Sequence, residues 1–263
     1  VIDRPLGPLP LEAPTPGTSF TDLLDSLGAR PTWSLPPGET PTAPEGTTVL
    51  ALRFDNGVVM AGDRRATEGN LVAHRRIRKV FPADKSSAVA IAGIAGLATE
   101  MVKLFQVELE HYEKIEGVRL SLEGKASFLA RLVRGQLPLA FQGLVVVPLF
   151  AGFDEREDRG RLYTFDAIGG RYEEIDFGST GSGSRLAKSF MRTEYRDDMT
   201  GDEAANLAIR ALVAASREDT ATGGPDPKRG ILPNVIHIDA EGLVELSDDV
   251  ISPLAEQALD SIS

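Results

Sequence analysis

The sequence predicts an α+β body in which two sheets pack face to face and helices cover both outer faces. Three observations predict it. From residue 47 onward the elements read in the order strands, two helices, strands, two helices, strands, and that order buries both strand sets if the sheets stack between helix layers. No internal repeat and no second linker divides this stretch, so it reads as one domain. The composition changes abruptly between Gly46 and Thr47, where a proline-laden leader gives way to a strand that begins on a threonine.

Composition narrows the chemistry. The chain has 263 residues, 42% apolar and 25% charged, ordinary for a globular protein. A net charge of -11 argues against nucleic-acid and membrane-surface roles, which need clustered basic charge. No apolar run is long enough to span a bilayer, and no basic segment followed by an apolar one marks a secretory signal. The absence of cysteine excludes disulfides and thiolate chemistry and fits a reducing cytoplasm. His74, His111 and His237 are too scattered for a zinc site, so no metal and no cofactor is expected. Hydroxyls, carboxylates and amines must carry any reaction.

The leader, residues 1–46, holds ten of the seventeen prolines and the single tryptophan, Trp33. Proline removes an amide donor and fixes φ, so this segment cannot join a sheet ladder or run as one long helix. A short helix is expected near 19–27, where Phe20, Leu23, Leu24 and Leu27 make one apolar stripe ended by Gly28. A helix of that length needs a surface to lie on.

In the body, Thr48 to Phe54 alternates, Asp55-Asn56-Gly57 signals a hairpin, and Val58 to Gly62 returns. Ile77 to Phe81 and Ala88 to Ile94 read as the third and fourth strands. Leu97, Met101, Leu104, Phe105, Leu109 and Tyr112 recur at helical spacing, and Gly117 stops that helix. A second helix is expected over 122–141, with Pro138 kinking or ending it. Strands follow at 145–153, 162–166 and 172–177. A glycine-rich turn over 178–184 leads into a helix to about Tyr195, Thr200-Gly201-Asp202-Glu203 opens another, and strands at 234–240 and 243–246 close the body as a hairpin.

Four features stand out: Thr47 after Gly46; Asp63, 16 residues on, in Gly-Asp-Arg-Arg-Ala-Thr; Lys79, another 16 on, in Arg-Lys-Val; and Gly-Ser-Gly at 181–183 with Asp219 and Thr222-Gly223-Gly224. Taken singly each has a bland reading. Thr47 is a β-branched strand residue, Asp63 a turn-capping carboxylate, Lys79 a solvated charge. The Gly-Ser-Gly loop lacks the Gly-Lys-Ser/Thr of a phosphate cradle, and the basic run Arg75, Arg76, Arg78, Lys79 reads in an acidic chain as a solvated loop or contact face. Their joint, ordered occurrence points elsewhere.

With Thr-Thr-Val at 47–49 and Ile-Ala-Gly at 91–93, this ordered set resembles the β subunits of 20S proteasomes, and the Ala-Thr-Gly-Gly-Pro-Asp segment from Ala221 resembles the actinobacterial type. The resemblance implies a four-layer αββα sandwich of the N-terminal-nucleophile hydrolase class, with residues 1–46 a propeptide and 47–263 the catalytic domain. It implies a threonine endopeptidase, held as an inactive precursor until cleavage between Gly46 and Thr47 frees Thr47 as nucleophile. Lys79 is then expected beside the Thr47 hydroxyl with Asp63 holding it charged, Ser182, Asp219 and Thr222 orient the amino group, and the Gly93 N–H forms the oxyanion hole. The family often has serine at the position of Thr222; the hydroxyl is retained and the added methyl restricts its rotamer.

Substrate is expected to add as a strand against Thr67, Gly93 and Ala95, with Ala66, Ile77, Ile91, Ala95 and Thr99 lining a pocket that favours cleavage after apolar residues. The resemblance further implies two β heptamers between two α heptamers, tagged protein substrates and an ATPase ring that feeds them. Two other readings compete. The two-ring bacterial threonine protease also starts Thr-Thr but lacks the leader and the Asp219-x-x-Thr222 segment. A non-catalytic structural ring subunit lacks a leader ending in Gly-Thr and the Asp63 and Lys79 pair.

Overall fold

The computed structural model describes residues 47–68 and 71–262. The expected propeptide, its short helix near 19–27 and Gly46 lie outside the described residues.

Two antiparallel sheets of five strands stack on each other. The first has the order β10-β1-β2-β11-β12, built from Phe177–Gly181, Thr48–Phe54, Gly57–Gly62, Asn234–Asp239 and Gly242–Glu245. The second runs in the order β5-β6-β7-β8-β9, from Val80–Pro82, Ser87–Gly93, Val146–Asp154, Arg159–Phe165 and Arg171–Glu174. A two-stranded hairpin, β3 (Ala66–Glu68) with β4 (Leu71–His74), stands apart from both. The helices are α1 (Ala95–Glu116), α2 (Leu122–Gly135), the short α3 (Leu137–Ala140), α4 (Ser184–Glu194), α5 (Gly201–Glu218) and α6 (Asp248–Ser261).

The alternation along β1 shows how the layers form. Val49 and Ala51 face the second sheet, meeting Val80, Ala88, Ala90, Leu149 and Leu162 in an inter-sheet core. Leu50, Leu52 and Phe54 face the other way and pack with Met191 of α4, Ala208 and Leu212 of α5, and Ile251 of α6. On the far side Val89, Ile91 and Phe150 meet Met101 and Phe105 of α1 and Leu129 of α2. Successive side chains on a strand point to opposite faces, so one alternating run feeds two cores. The result is helices, sheet, sheet, helices: the expected αββα sandwich.

Local signals set several element ends. Thr200 and Glu203 form a reciprocal capping box at the start of α5. Gly117, at φ 69°, ends α1 in the left-handed conformation. The second predicted helix divides: α2 ends at Gly135 and Pro138 falls inside the short α3.

Three expectations are corrected. Ile77 to Phe81 is not one strand; regular pairing covers Val80–Pro82 only. The Ile77 N–H donates to the Arg64 carbonyl (3.0 Å) and the Lys79 N–H to Asn234 Oδ1 (3.4 Å), so these amides turn away from the ladder. Residues 172–177 do not form one strand: they part between β9 at the edge of the second sheet and β10 in the first. Most of the expected glycine-rich turn is therefore strand, with Thr48 opposite Gly181 and Ala51 opposite Gly178. Finally, α6 and the β3–β4 hairpin had no counterpart in the pattern reading.

Candidate active site

Thr47 is buried at the mouth of β1, and its carbonyl accepts the Ser182 N–H at 2.9 Å. That bond extends the β1–β10 pairing one step beyond Thr48 and Gly181. Gly181 has φ +101°, and a Cβ there would lie 1.9 Å from the Thr47 carbonyl oxygen. Only glycine fits, because it alone brings a backbone this close in that conformation.

Asp63, just after β2, is the hub of the site. Its Oδ1 accepts the Thr48 N–H at 2.8 Å and Lys79 Nζ at 2.5 Å. Its Oδ2 accepts the N–H groups of Arg65 and Gly223, each at 2.8 Å. Asp63 is 1% exposed and Lys79 3%, so this ion pair is sealed from water. Burial pushes the Lys79 amine below its ordinary range, and the Asp63 carboxylate opposes that shift by charge and hydrogen bond. A buried pair survives where further hydrogen bonds satisfy its remaining lone pairs, and the four donors on Asp63 meet that condition.

A second cluster adjoins Thr47, whose carbonyl also lies 3.4 Å from Ser182 Oγ. Asp219 Oδ2 accepts the hydroxyls of Ser182 and Thr222, each at 2.5 Å. Thr222 Oγ1 also meets Thr48 Oγ1 at 2.6 Å, and Thr48 Oγ1 accepts the Gly183 N–H at 3.0 Å. The three residues expected to orient an amine are thus joined through one carboxylate oxygen.

Thr47 and Lys79 open into a pocket with Ala66, Ile77, Arg78, Phe81, Ile91, Gly93, Ala95, Ala98 and Thr99. All five expected pocket residues line it, and Gly93 joins them. Thr99 Oγ1 donates to the Ala95 carbonyl within α1 (2.9 Å), so its polar atom is spent inside the helix. Gly93 ends β6 at φ +117°, two residues before α1, where the helix presents the positive end of its dipole. Thr67 lies outside this lining; it is buried on β3 opposite Val72.

Sequence reasoning missed Thr48, Asn234, the Arg65 and Gly223 amides, and Arg78 and Phe81 in the pocket wall. A second threonine at a fully buried strand position was the one side-chain signal available for Thr48. Backbone donors carry none. Among the described residues no group of three or more His, Cys, Asp or Glu could hold a metal ion, and no helix is long and apolar enough to cross a membrane. Chemically, the arrangement offers a hydroxyl, a paired ammonium and a hydroxyl–carboxylate cluster around one buried threonine.

Comparison with known proteins agrees on one group. Residues 43–225 match the model of the family described as Proteasome subunit. A protein of Acidimicrobium ferrooxidans named Proteasome subunit beta is 52% identical over 250 residues, covering 94% of this chain and 92% of the relative. Proteins of the same name from Streptomyces griseus and Acidothermus cellulolyticus are 50% and 49% identical, covering 98% and 96% of this chain and 93% and 90% of theirs.

Proposed function

The chain belongs to the proteasome subunit family, as a β subunit of the actinobacterial type and a peptidase subunit of the proteasome core; from that premise we propose that Thr47, freed by cleavage of the Gly46–Thr47 bond, is its nucleophile. The observation that carries this reading is the buried Lys79–Asp63 pair, whose lysine lines the same pocket as Thr47. A threonine hydroxyl is a weak nucleophile until a base takes its proton. The freed α-amino group, with a reference pKa of about 8, is poised to take that proton near neutral pH. The Lys79 ammonium lowers the cost of an alkoxide forming beside it, and Ser182, Asp219 and Thr222 orient the amine.

In the precursor the Thr47 hydroxyl attacks the Gly46 carbonyl carbon. The peptide C–N bond breaks as the C–O bond forms, leaving an ester and a free Thr47 amine. Water then hydrolyses the ester to a Gly46 carboxylate and restores the hydroxyl. The same hydroxyl attacks a substrate peptide, whose developing oxyanion is held by the Gly93 N–H at the head of α1. The scissile C–N bond breaks, the leaving amine takes the proton held by the Thr47 amino group, and water hydrolyses the acyl ester to release the second product and restore the hydroxyl. Thr67, Gly93 and Ala95 pair with the substrate as an added strand. The apolar walls of Ala66, Ile77, Ile91 and Ala95 favour cleavage after apolar residues. Two β heptamers between two α heptamers, fed with tagged proteins by an ATPase ring in the cytoplasm, complete the proposed setting.

Intact-mass measurement of the assembled particle tests the reading. Wild-type chain is expected to lose residues 1–46 on assembly, and Thr47→Ala to keep them and hydrolyse no apolar peptide. Hydrolysis by a pure Thr47→Ala particle would place the chemistry elsewhere.

A further inference from the structure

We propose that Thr48 is a positioning residue for the reaction, tying the hydroxyl cluster to the nucleophile; this rests on the reading of Thr47 as nucleophile. Thr48 is 0% exposed on a strand whose following residues are Val49, Leu50, Ala51 and Leu52. Valine has the same shape and suits such a strand at least as well, whereas a buried hydroxyl is costly unless bonded. Here the hydroxyl is bonded on both sides.

The protons can be assigned. A carboxylate has only acceptors, so Thr222 Oγ–H donates to Asp219 Oδ2 and Ser182 Oγ–H donates to the same oxygen. The Thr222 proton being spent, the 2.6 Å contact requires Thr48 Oγ–H to donate to Thr222 Oγ1. Thr48 Oγ1 in turn accepts from the Gly183 N–H. The chain therefore runs in one direction: Gly183 N–H to Thr48, Thr48 to Thr222, Thr222 to Asp219. Thr222 keeps one lone pair for a further donor, such as a freed amine. Gly183 leaves room for this chain, since a Cβ there would lie 2.5 Å from Thr222 Oγ1 and 2.6 Å from Thr48 Oγ1.

Thr48 also holds the other half of the site, because its N–H donates to Asp63 Oδ1, the oxygen that accepts Lys79 Nζ. One residue, a single peptide bond from the nucleophile, thus joins the lysine–aspartate pair to the hydroxyl–carboxylate cluster. Its hydroxyl fixes the rotamer of Thr222, and with it the direction of the free lone pair. Thr48 itself lies outside the pocket lining.

The test uses full-length Thr48→Val and Thr48→Ser in assembled particles, with Thr47→Ala alongside. Thr48→Val is expected to lower kcat on an apolar peptide by about tenfold to a hundredfold, a part of what a positioned base supplies. KM should stay within about twofold, since no substrate contact is lost. Thr48→Ser, which keeps the hydroxyl, should restore turnover. If Thr48→Val stalls before processing, the same order is read from processing rates, Ser ahead of Val. Wild-type turnover and processing in Thr48→Val would overturn the inference, as would a Ser variant as slow as Val, which would mark the methyl's packing instead. Should Thr48→Val prove unstable, Thr48→Ser is combined with Thr222→Ala and Thr222→Ser: loss with Ala but not Ser supports the chain, and equal behaviour of the two sinks it. Activity in Thr47→Ala would remove the nucleophile reading itself, whereas equal rates for Val and wild type beside an inactive Thr47→Ala remove only the role of Thr48.

Discussion

Replacing Asp63 by asparagine changes almost no volume but disturbs the hub's bonds to Arg65, Gly223 and Lys79. Asparagine can keep an acceptor toward the Thr48 N–H, but its NH2 then faces the Arg65 and Gly223 amides that Oδ2 now satisfies. Each buried donor left without a partner costs about 1–3 kcal/mol. Lys79, 3% exposed, loses its counter-ion, and breaking a buried pair in this way costs about 3–5 kcal/mol. These costs overlap, because Lys79 can shed its proton, so a loss of at least about 3 kcal/mol is expected from a total of roughly 5–15.

The sign with pH follows from Lys79. Its folded pKa is depressed by burial, so between that value and its unfolded value of 10.5 the unfolded chain binds more protons, and stability rises with pH. Without Asp63 to oppose burial, the lower edge of that window moves down and Asp63→Asn gains more from alkaline pH than wild type does. The assay is thermal or denaturant unfolding at several pH values, made in a Thr47→Ala background so that both chains remain unprocessed. Peptide hydrolysis in the Thr47 background should fall by roughly a hundredfold or more. Wild-type melting and turnover in Asp63→Asn would refute the claim that this carboxylate holds Lys79 charged.

Gly181→Ala puts a Cβ 1.9 Å from the Thr47 carbonyl at φ +101°, and is expected to cost at least about 1–3 kcal/mol and to slow processing; melting and intact mass check both. Lys125→Met breaks a partly buried pair, in which Lys125 Nζ lies 2.5 Å from Asp84 Oδ2. Burial alone would push the Asp84 carboxyl up, but Lys125, with Ser87 and the Ser86 N–H, outweighs it and holds it below the usual carboxylate range. Its stabilisation is present above the unfolded pKa of 3.8 and is lost as pH falls through the folded value. Lys125→Met should therefore lower stability at neutral pH and flatten its acid limb, seen as melting temperature against pH. Ala95→Val narrows the pocket beside Thr47, so cleavage after phenylalanine should fall relative to cleavage after alanine by about 10–200-fold, read as the ratio of kcat/KM values.

The layered fold was legible because alternation survives in β1 and helical spacing survives in α1. What escaped followed from residues whose signal is weak or misleading. Gly178 and Gly181 read as turn, yet they lie in β10 because other groups come close there: a Cβ on Gly178 would sit 2.9 Å from Thr164 Cγ2. Lys79 read as a strand residue, but its amide is drawn to Asn234. The last helix was visible in principle, with Ser247 ahead of Asp248 and Asp249 and with Ile251, Ala255 and Ala258 on one face. In the site, Thr47, Asp63 and Lys79 were found as an ordered set, since each is a side chain with a spacing. The Gly223 and Arg65 amides were not, because backbone donors leave no mark on composition. Thr48 was hidden by its own suitability for a strand.

The hub has a consequence in time. Asp63 takes a donor from Gly223, 160 residues later in the chain, and Thr48 meets Thr222 across 174. At about 5–20 residues per second, synthesis reaches those partners roughly 10–30 s after Asp63 has been made. Through that interval Asp63 lacks the Gly223 amide and the hydroxyl chain lacks Thr222, so the proposed self-cleavage has no complete machinery to run on. A ribosome-stalled chain ending before Thr222 should keep its leader intact. The separation of these residues along the chain delays the proposed self-cleavage until Thr222 and Gly223 have been made.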